Sequence, residues 1–255
     1  MLHTPIPEDG RGAGSHSEVL GTVDTSTLSA QDVALVGYQR TRHVTRAARL
    51  AWEQGDRRPM LALARQRRDA ILAGALEEMY AQYLPLRAAL AEVELRPARV
   101  IDIGCGQALG DVFLERDFAP HFILVDIEES GEQYHGWAKE GAGYASLAAA
   151  RAYLMANGVA EGRIRTVNPR SEELGVTPRA GDLVISTYSC GFHYPVDDYV
   201  EMMLETVAAG GAVCIDLRNR YARRGEPALS RLLEAGVVRT LFTEERSRRV
   251  LVSLR

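Results

Sequence analysis

The sequence predicts an α/β protein with a mostly parallel, seven-stranded sheet. From residue 96 onward, short β-branched runs alternate with stretches of helical periodicity, which is typical of parallel sheets with helices on both faces. A glycine-rich turn, 104–110, joins the first run to a helix, as in Rossmann-like folds. The last two runs, 237–243 and 248–254, are separated by a few residues only. Such a short connection predicts an antiparallel hairpin at the end of the sheet.

The composition indicates a globular protein with a full core. The chain has 255 residues, of which 46% are hydrophobic and 25% charged. No apolar run reaches the roughly 18 residues that a membrane span needs, and the N-terminal stretch lacks the pattern of a secretion signal. We therefore expect a cytoplasmic protein with no membrane partner. Cys105, Cys190 and Cys214 lack metal-ligand spacing, so reduced thiols and no metal site are expected.

Three segments differ in composition. Residues 1–28 are rich in Gly, Ser, Thr and Pro, and we expect them to form a mobile tail. Residues 29–95 show helical periodicity without strands. Residues 96–255 hold the alternating strands and helices, so they are expected to form one domain.

The helical segment is expected to contain two long helices and one short helix. A capping box that begins at Ser29 predicts a first helix to about residue 54. Pro59, at the first position of a helix, opens the second, and Pro85 is expected to end it. A shorter helix is predicted over 86–94.

The elements of the third segment follow in order. Strands are expected at 99–103, 121–127, 164–167, 182–187, 212–217, 237–243 and 248–254. Helices are expected to begin at Asp111 and to cover 144–157, 198–209 and 227–235. Residues 128–143 are aromatic and broken by glycine, and they follow a strand end, where ligands bind in such sheets. We interpret them as a lid or substrate wall, with an inert surface loop as the alternative.

The glycine turn predicts a cofactor site. Gly104 and Gly106 lack a Cβ, so a ligand can lie against their backbone amides at the start of a helix. The spacing departs from the dinucleotide fingerprint, because the third glycine is one position late. Asp102, two residues before Gly104, would repel a pyrophosphate. Asp126 follows Gly106 by 20 residues and ends the second strand, where an acid can accept both hydroxyls of a ribose.

The motif Asp102-Ile103-Gly104-Cys105-Gly106 resembles the first motif of class I methyltransferases that depend on S-adenosyl-L-methionine (SAM). The order of elements over 99–255, including the final hairpin, resembles the same family. This resemblance implies SAM as the cofactor, since SAM carries an ammonium and a sulfonium that an acid can pair with. It implies the cofactor-binding residues Asp102, Gly104, Cys105, Gly106, Asp126, Ile127, Asn168, Ser186 and Thr187.

The resemblance also implies where catalytic groups lie. The family places them after the fourth strand, which here is followed by 188–195. His193 is the first candidate for a general base that removes a proton from a hydroxyl acceptor, and His135 is its rival. Tyr194 is a third candidate. Cys190 has no activating partner in the sequence. A structural role for His193 is the alternative.

The resemblance predicts methylation of a hydroxyl on a small molecule, such as a sugar or nucleotide-sugar. The motif [DNS]-P-P-[YFW] of many N-methylating enzymes is absent, because Thr187-Tyr188-Ser189-Cys190 stands in its place. Many small-molecule methyltransferases carry a helical substrate cap where this chain has 29–95. Packing, or a homodimer through these helices, is the alternative.

Three other functions stay open at this point. Nine arginines against two acids over residues 40–68 suit either a solvated face or a surface for an anionic acceptor, so an RNA methyltransferase is the runner-up. The net charge of −4 argues against general affinity for nucleic acid. A catalytically silent subunit with a SAM fold and a dinucleotide oxidoreductase are the remaining alternatives.

Overall fold

A computed structural model describes residues 16–128 and 146–255. The helices in these ranges are α1 (His16–Gly21), α2 (Ala30–Gln39), α3 (Arg46–Glu53), α4 (Arg58–Gln66), α5 (Arg68–Glu92), α6 (Asp111–Phe118), α7 (Leu147–Ala156), α8 (Val200–Ala208), α9 (Asn219–Ala222) and α10 (Pro227–Glu234). The strands are β1 (Arg99–Ile103), β2 (His121–Val125), β3 (Ile164–Val167), β4 (Asp182–Ser186), β5 (Ala212–Arg218), β6 (Val237–Thr243) and β7 (Ser247–Ser253).

The seven strands form one sheet in the order β3-β2-β1-β4-β5-β7-β6. The first five are parallel, and β7 lies antiparallel between β5 and β6. The predicted fold class, a mostly parallel sheet with an antiparallel C-terminal hairpin and helices before it, is confirmed. In the register, Ile103 pairs with Val125, so β1 and β2 end at the same edge of the sheet. The residues that follow these two strands are therefore neighbours.

The sheet separates two hydrophobic cores. Val100 belongs to the core that the N-terminal helices cover, which includes Met60 and Leu90. Ile101 and Ile103 belong to the other core, beneath α8 and α10. Because strand side chains alternate between faces, the N-terminal helices pack on the face to which Asp102 points. That packing brings side chains of α2 and α5 close to the end of β1.

Three helix boundaries were predicted wrongly, one of them because the helix predicted from Pro59 is interrupted at Arg67, between α4 and α5. The first predicted helix is interrupted after Gln39 by a 3₁₀ turn at Thr41–His43, and α3 begins anew with Thr45 as its cap, whose hydroxyl accepts a hydrogen bond from the Ala48 amide. The cap satisfies an amide that a continuous helix would bond to a carbonyl. Pro85 was expected to end a helix, but it lies inside α5.

The continuation past Pro85 follows from burial. A proline in a helix interior removes one backbone hydrogen bond and costs about 3 kcal/mol. The turns after it bury Leu86, Ala89 and Leu90 in the core under the N-terminal helices. Burying a leucine side chain contributes about 1.5–3 kcal/mol, so two leucines offset the cost.

The described part of the predicted tail lies on the α/β domain. Asn157 donates a hydrogen bond from Nδ2 to the Asp24 carbonyl at 2.8 Å and accepts one from the Asp24 amide at 2.9 Å. Arg116 donates to the Val19 carbonyl and to the Thr22 hydroxyl. Residues 16–28 thus contact the third segment, although the sequence assigned them to the tail. In 16–128 and 146–255, no helix is both long and apolar enough to cross a bilayer.

Candidate cofactor and acceptor site

The turn after β1 can be built only with glycine at its first position. Gly104 has a φ of +77°, and a Cβ built there would lie 1.9 Å from the Ser189 hydroxyl oxygen. Its amide donates to the Val125 carbonyl at 2.7 Å, which holds the turn against the end of β2. Gly106 also has a positive φ, +55°. The turn therefore presents bare backbone at the edge of the sheet, as the sequence predicted.

Asp126 is fixed against this turn. The Gly106 amide donates to its Oδ2 at 2.7 Å. Burial raises the pKa of Asp126 to about 7, while hydrogen bonds from the amides of Gly106 and Ile127 act in the opposite direction. The carboxylate is held in place by the same loop that a cofactor would contact.

A second acid lies beside Asp102, and the sequence analysis assigned it no role. Asp111, the first residue of α6, is 2% exposed and Asp102 is 6% exposed. Asp102 Oδ1 and both carboxylate oxygens of Asp111 are buried without a hydrogen-bond partner among the described residues. Burial raises the pKa of Asp111 to about 7, and burial together with the charge of Asp111 raises the pKa of Asp102. Two facing carboxylates without donors are suited to hold a proton or a cation.

Three carboxylates therefore surround the glycine turn. Cys105, in the middle of the turn, shows their combined influence: burial raises the pKa of its thiol, and Asp126, Asp102 and Asp111 raise it further. The thiol stays protonated and packs as a small apolar group. When ionised, these carboxylates would repel a pyrophosphate.

We expect the gain in stability of the Asp111→Asn variant over the wild type to be about 2–3 kcal/mol larger at pH 8 than at pH 5. In the unfolded chain an aspartate ionises near its ordinary pKa of about 3.9, whereas folded Asp111 holds its proton to about pH 7. The folded state therefore binds more protons over this window, and the free energy of unfolding falls as pH rises through it. Urea unfolding at the two pH values measures the difference.

Asp69→Asn is the matched control. Asp69 also lies in the first turn of a helix, α5, but it is exposed. The substitution removes a charge that interacts favourably with the helix dipole. Because Asp69 is exposed, it does not remove a buried charge, so we expect a small loss of stability at pH 8. Equal shifts in the two variants, or a gain for Asp111→Asn that does not depend on pH, would contradict the assignment.

Two cavities meet at the turn. The larger, of about 1280 Å³, is lined by Asp126, Ile127 and the loop 169–177. The smaller, of about 330 Å³, lies between the turn and the residues after β4. Both are lined by Gly104, Asp126, Ser189 and Tyr194. A ligand bound on the turn can therefore occupy both spaces at once.

Three of the predicted cofactor residues, Asp102, Asn168 and Ser186, are absent from the linings of these two cavities. Ser186 is fully buried, and its hydroxyl donates to the Ile103 carbonyl and accepts from the Cys190 amide, both at 2.9 Å. These bonds tie β1 to the loop after β4, and cofactor contact by Ser186 stays a prediction. Asn168 is absent from the lining of both cavities, and its Oδ1 accepts from the Arg170 amide. Thr187 lines the smaller cavity.

The loop after β4 places His193 and Tyr194 on the wall of the smaller cavity. The His193 amide donates to the Ser189 carbonyl at 2.7 Å, and its ring meets the Phe192 ring edge-on with centroids 4.9 Å apart. The Tyr194 hydroxyl lies 3.1 Å from Ser189 Oγ. Burial raises the pKa of Tyr194 well above its usual range, so this side chain stays protonated and is suited to hydrogen bonding rather than to proton removal.

The structure describes Cys190 but not His135. Cys190 is fully buried, and burial raises the pKa of its thiol, which agrees with the low expectation for a nucleophile. His135 lies outside the described residues. Within 16–128 and 146–255, no group of three or more His, Cys, Asp or Glu residues could hold a metal ion.

Sequence reasoning missed a buried ion pair that supports the site. Arg249 of β7 donates to Asp216 of β5 from Nε at 2.8 Å and from Nη2 at 2.7 Å. Asp216 also accepts a hydrogen bond from the Tyr188 amide at 3.0 Å, and Tyr188 has a φ of +50°. The Tyr188 hydroxyl accepts from Gln82 of α5 at 2.9 Å. The sequence signal for this pair was an acid, Asp216, and an arginine, Arg249, within two mostly apolar strands.

The N-terminal helices contribute lining residues that the sequence did not identify. Gln39 and Arg40, at the end of α2, and Met79 of α5 line the smaller cavity. Arg40 pairs with Glu78 at 2.7 Å, and its guanidinium lies 5.1 Å from the centre of the Tyr188 ring. The helical segment therefore covers part of the site.

Much of the arginine-rich stretch is engaged within the chain. Besides Arg40, Arg49 pairs with Glu53 at 3.8 Å and Arg58 pairs with Asp56 at 2.9 Å. Further contacts join Arg57 to the Trp52 ring, and Arg68 to the carbonyls of Leu28 and Thr25. Five of the nine arginines thus have intramolecular roles, which favours the solvated-face interpretation.

The fold was compared with known proteins. It is similar to a methyltransferase from Pyrococcus furiosus (16% identity, covering 69% of this chain and 82% of that chain, TM-score 0.45). It is also similar to the S-adenosylmethionine-dependent methyltransferase SibL (17% identity, 93% and 72%, TM-score 0.46) and to the pyocyanin biosynthetic protein PhzM (16% identity, 90% and 73%, TM-score 0.45). No family model and no curated protein matches the chain. In fold, the chain is similar to these solved methyltransferases.

Proposed function

We propose that the chain is a SAM-dependent methyltransferase that acts on a hydroxyl of a small molecule. The observation that carries this proposal is the set of three carboxylates, Asp102, Asp111 and Asp126, around a turn of bare glycine backbone. Such a site favours a ligand that brings positive charge and hydroxyl donors. It disfavours a dinucleotide, whose pyrophosphate would meet negative charge.

The residues of the site fit SAM. The buried oxygens of Asp102 and Asp111 that lack a donor suit an ammonium group. Asp126, held by the Gly106 amide, is placed to accept ribose hydroxyls, and Ile127 offers an apolar wall for a base in the larger cavity. When bound, SAM would supply a methyl group that is already activated on a sulfonium.

The chain itself would have to align the acceptor and remove its proton. The smaller cavity, about 330 Å³, lies at the lower end of the range for small-molecule pockets. His193, on the wall of this cavity, is the candidate for the general base. Tyr194 can donate a hydrogen bond and Gln39 and Met79 close the side formed by the helices. Sugars and nucleotide-sugars remain acceptors to be tested.

Calorimetry tests the cofactor assignment. We expect the full chain to bind SAM and its demethylated product S-adenosylhomocysteine with micromolar or tighter dissociation constants and to show no heat with NADP. Binding of NADP without SAM would contradict the proposal and favour an oxidoreductase.

Turnover needs a separate test, because a silent subunit would also bind SAM. The protein is incubated with a metabolite extract and SAM that carries a deuterated methyl group, and mass spectrometry follows transfer of the label. A labelled small molecule that appears only with active protein supports the enzyme. Label confined to RNA added in parallel would favour the runner-up function instead.

A further inference from the structure

The wall of the smaller cavity carries an arginine at the end of β5. Arg218 lines this cavity together with Phe192 and His193, and its guanidinium carbon lies 4.7 Å from the centre of the Phe192 ring. The Phe192 ring in turn meets the rings of Tyr188 and His193 edge-on, at 5.0 Å and 4.9 Å. Arg218 is therefore part of an aromatic wall that also contains the candidate base.

The backbone holds this wall in place. The Arg218 amide donates to the Gly191 carbonyl at 3.2 Å, and the Gly191 amide donates to the Tyr194 carbonyl at 2.8 Å. Gly191 has a φ of +86°, and a Cβ there would lie 3.0 Å from the Asp216 carbonyl oxygen. The loop after β4 thus packs directly on the end of β5, which fixes Arg218 relative to His193.

The charges on the lining are unequal. Among the described residues that line this cavity, one carboxylate, Asp126, stands against the guanidinium groups of Arg40 and Arg218. Burial lowers the pKa of Arg218, and the nearby charge of Arg246 lowers it further. The described lining therefore carries more guanidinium groups than carboxylates.

We propose that the methyl acceptor is a small organic acid or phosphate ester whose oxyanion binds Arg218. A guanidinium presents a planar fork of donors that matches a carboxylate or phosphate, and stacking on Phe192 would orient that fork. An acceptor anchored in this way places the rest of its body along the wall that carries His193. This inference rests on the proposed function, because it assigns the acceptor side of the same site.

The test compares matched acids and neutral analogues as ligands of the full chain. Hydroxybenzoate is titrated against its methyl ester, and a hexose phosphate against the parent hexose, each with and without S-adenosylhomocysteine. We expect at least one acid to bind about tenfold or more tightly than its neutral partner in the wild type. The pair that shows this preference distinguishes a carboxylate from a phosphate. Equal binding within both pairs, or no binding of either acid at millimolar concentration, would overturn the proposal.

Variants then locate the oxyanion. Arg218→Gln should weaken binding of the acid about 10- to 100-fold and leave that of the neutral analogue unchanged, and Arg218→Lys should retain part of the preference because it keeps the charge but not the fork. Arg220→Gln, at an exposed arginine two residues away, is the control and should bind as the wild type does. An acid preference that survives in Arg218→Gln would overturn the proposal.

Affinity for SAM separates this proposal from the function on which it rests. Arg218→Gln should bind SAM as the wild type does, which also shows that the variant is folded. A selective loss of SAM affinity would assign Arg218 to the carboxylate of the cofactor and overturn the acceptor proposal. Failure of the wild type to bind SAM would contradict the proposed function. The preference for the acid over its neutral analogue is also measured without a cofactor, so it is tested independently of SAM binding.

Discussion

Replacing His193 with alanine is expected to lower kcat about 10²- to 10⁴-fold and to leave the affinity for SAM nearly unchanged. The expected loss is the usual contribution of a general base. His193 lies on the wall of the smaller cavity, whereas the carboxylates proposed to bind SAM lie at the glycine turn. Steady-state kinetics with an acceptor found by label transfer, together with calorimetry for SAM, measures the two effects separately.

His193→Gln distinguishes proton removal from positioning. Glutamine keeps polar atoms at the site but cannot take up a proton near neutral pH, so we expect it to be almost as inactive as alanine. His121→Ala is the control, because His121 is exposed at the start of β2, at the opposite edge of the sheet. Near-full kcat in both His193 variants would leave His135, or no side chain, as the base.

Replacing Asp126 with asparagine is expected to raise the dissociation constant for SAM about 10- to 150-fold, which corresponds to about 1.5–3 kcal/mol. Asparagine can still accept the Gly106 amide through its Oδ1, so the turn should stay folded, but the charge that strengthens hydrogen bonds from the ribose is lost. Calorimetry with the purified protein measures the change. Asp198→Asn, at an exposed residue on the wall of the larger cavity, should have little effect.

The same carboxylate predicts a pH dependence. Since the pKa of Asp126 is raised to about 7, the side chain is largely protonated at pH 6 and largely ionised at pH 8. The affinity of the wild type for SAM should therefore rise over this range. Part of that rise should disappear in Asp126→Asn, and the remainder belongs to Asp102 and Asp111. Unchanged SAM affinity in the variant at both pH values would remove the ribose assignment.

The order and type of the strands could be predicted because each signal is local. A buried strand such as Leu183–Ile185 is apolar without interruption, and the turns between elements carry glycine or proline. The boundaries at Gln39 and Pro85 failed for a different reason. They depend on which side chains are buried by distant segments, and a single helix pattern does not contain that information.

The candidate site, like the fold, could be predicted from the sequence only where the signal is local. Gly104, Gly106 and Asp126 were recognised because their chemistry and spacing lie within one strand-turn-helix unit and the strand beside it. Asp111 looked like an ordinary first-turn acid of a helix, and only the fold places it against Asp102. Arg40, Arg218 and Arg249 reach the site from three different elements. No pattern along the sequence marks such a convergence in space.

The position of β7 has a consequence for the order in which this site is made. β7 is translated after every other strand of the sheet, yet it inserts between β5 and β6 and supplies the arginine that neutralises Asp216. Until then Asp216, which holds the Tyr188 amide, would be a buried charge without a counterion. The loop that carries His193 can therefore settle only after residues 247–253 have left the ribosome. A nascent chain can assemble β1 to β5 early, but it acquires its binding pocket last.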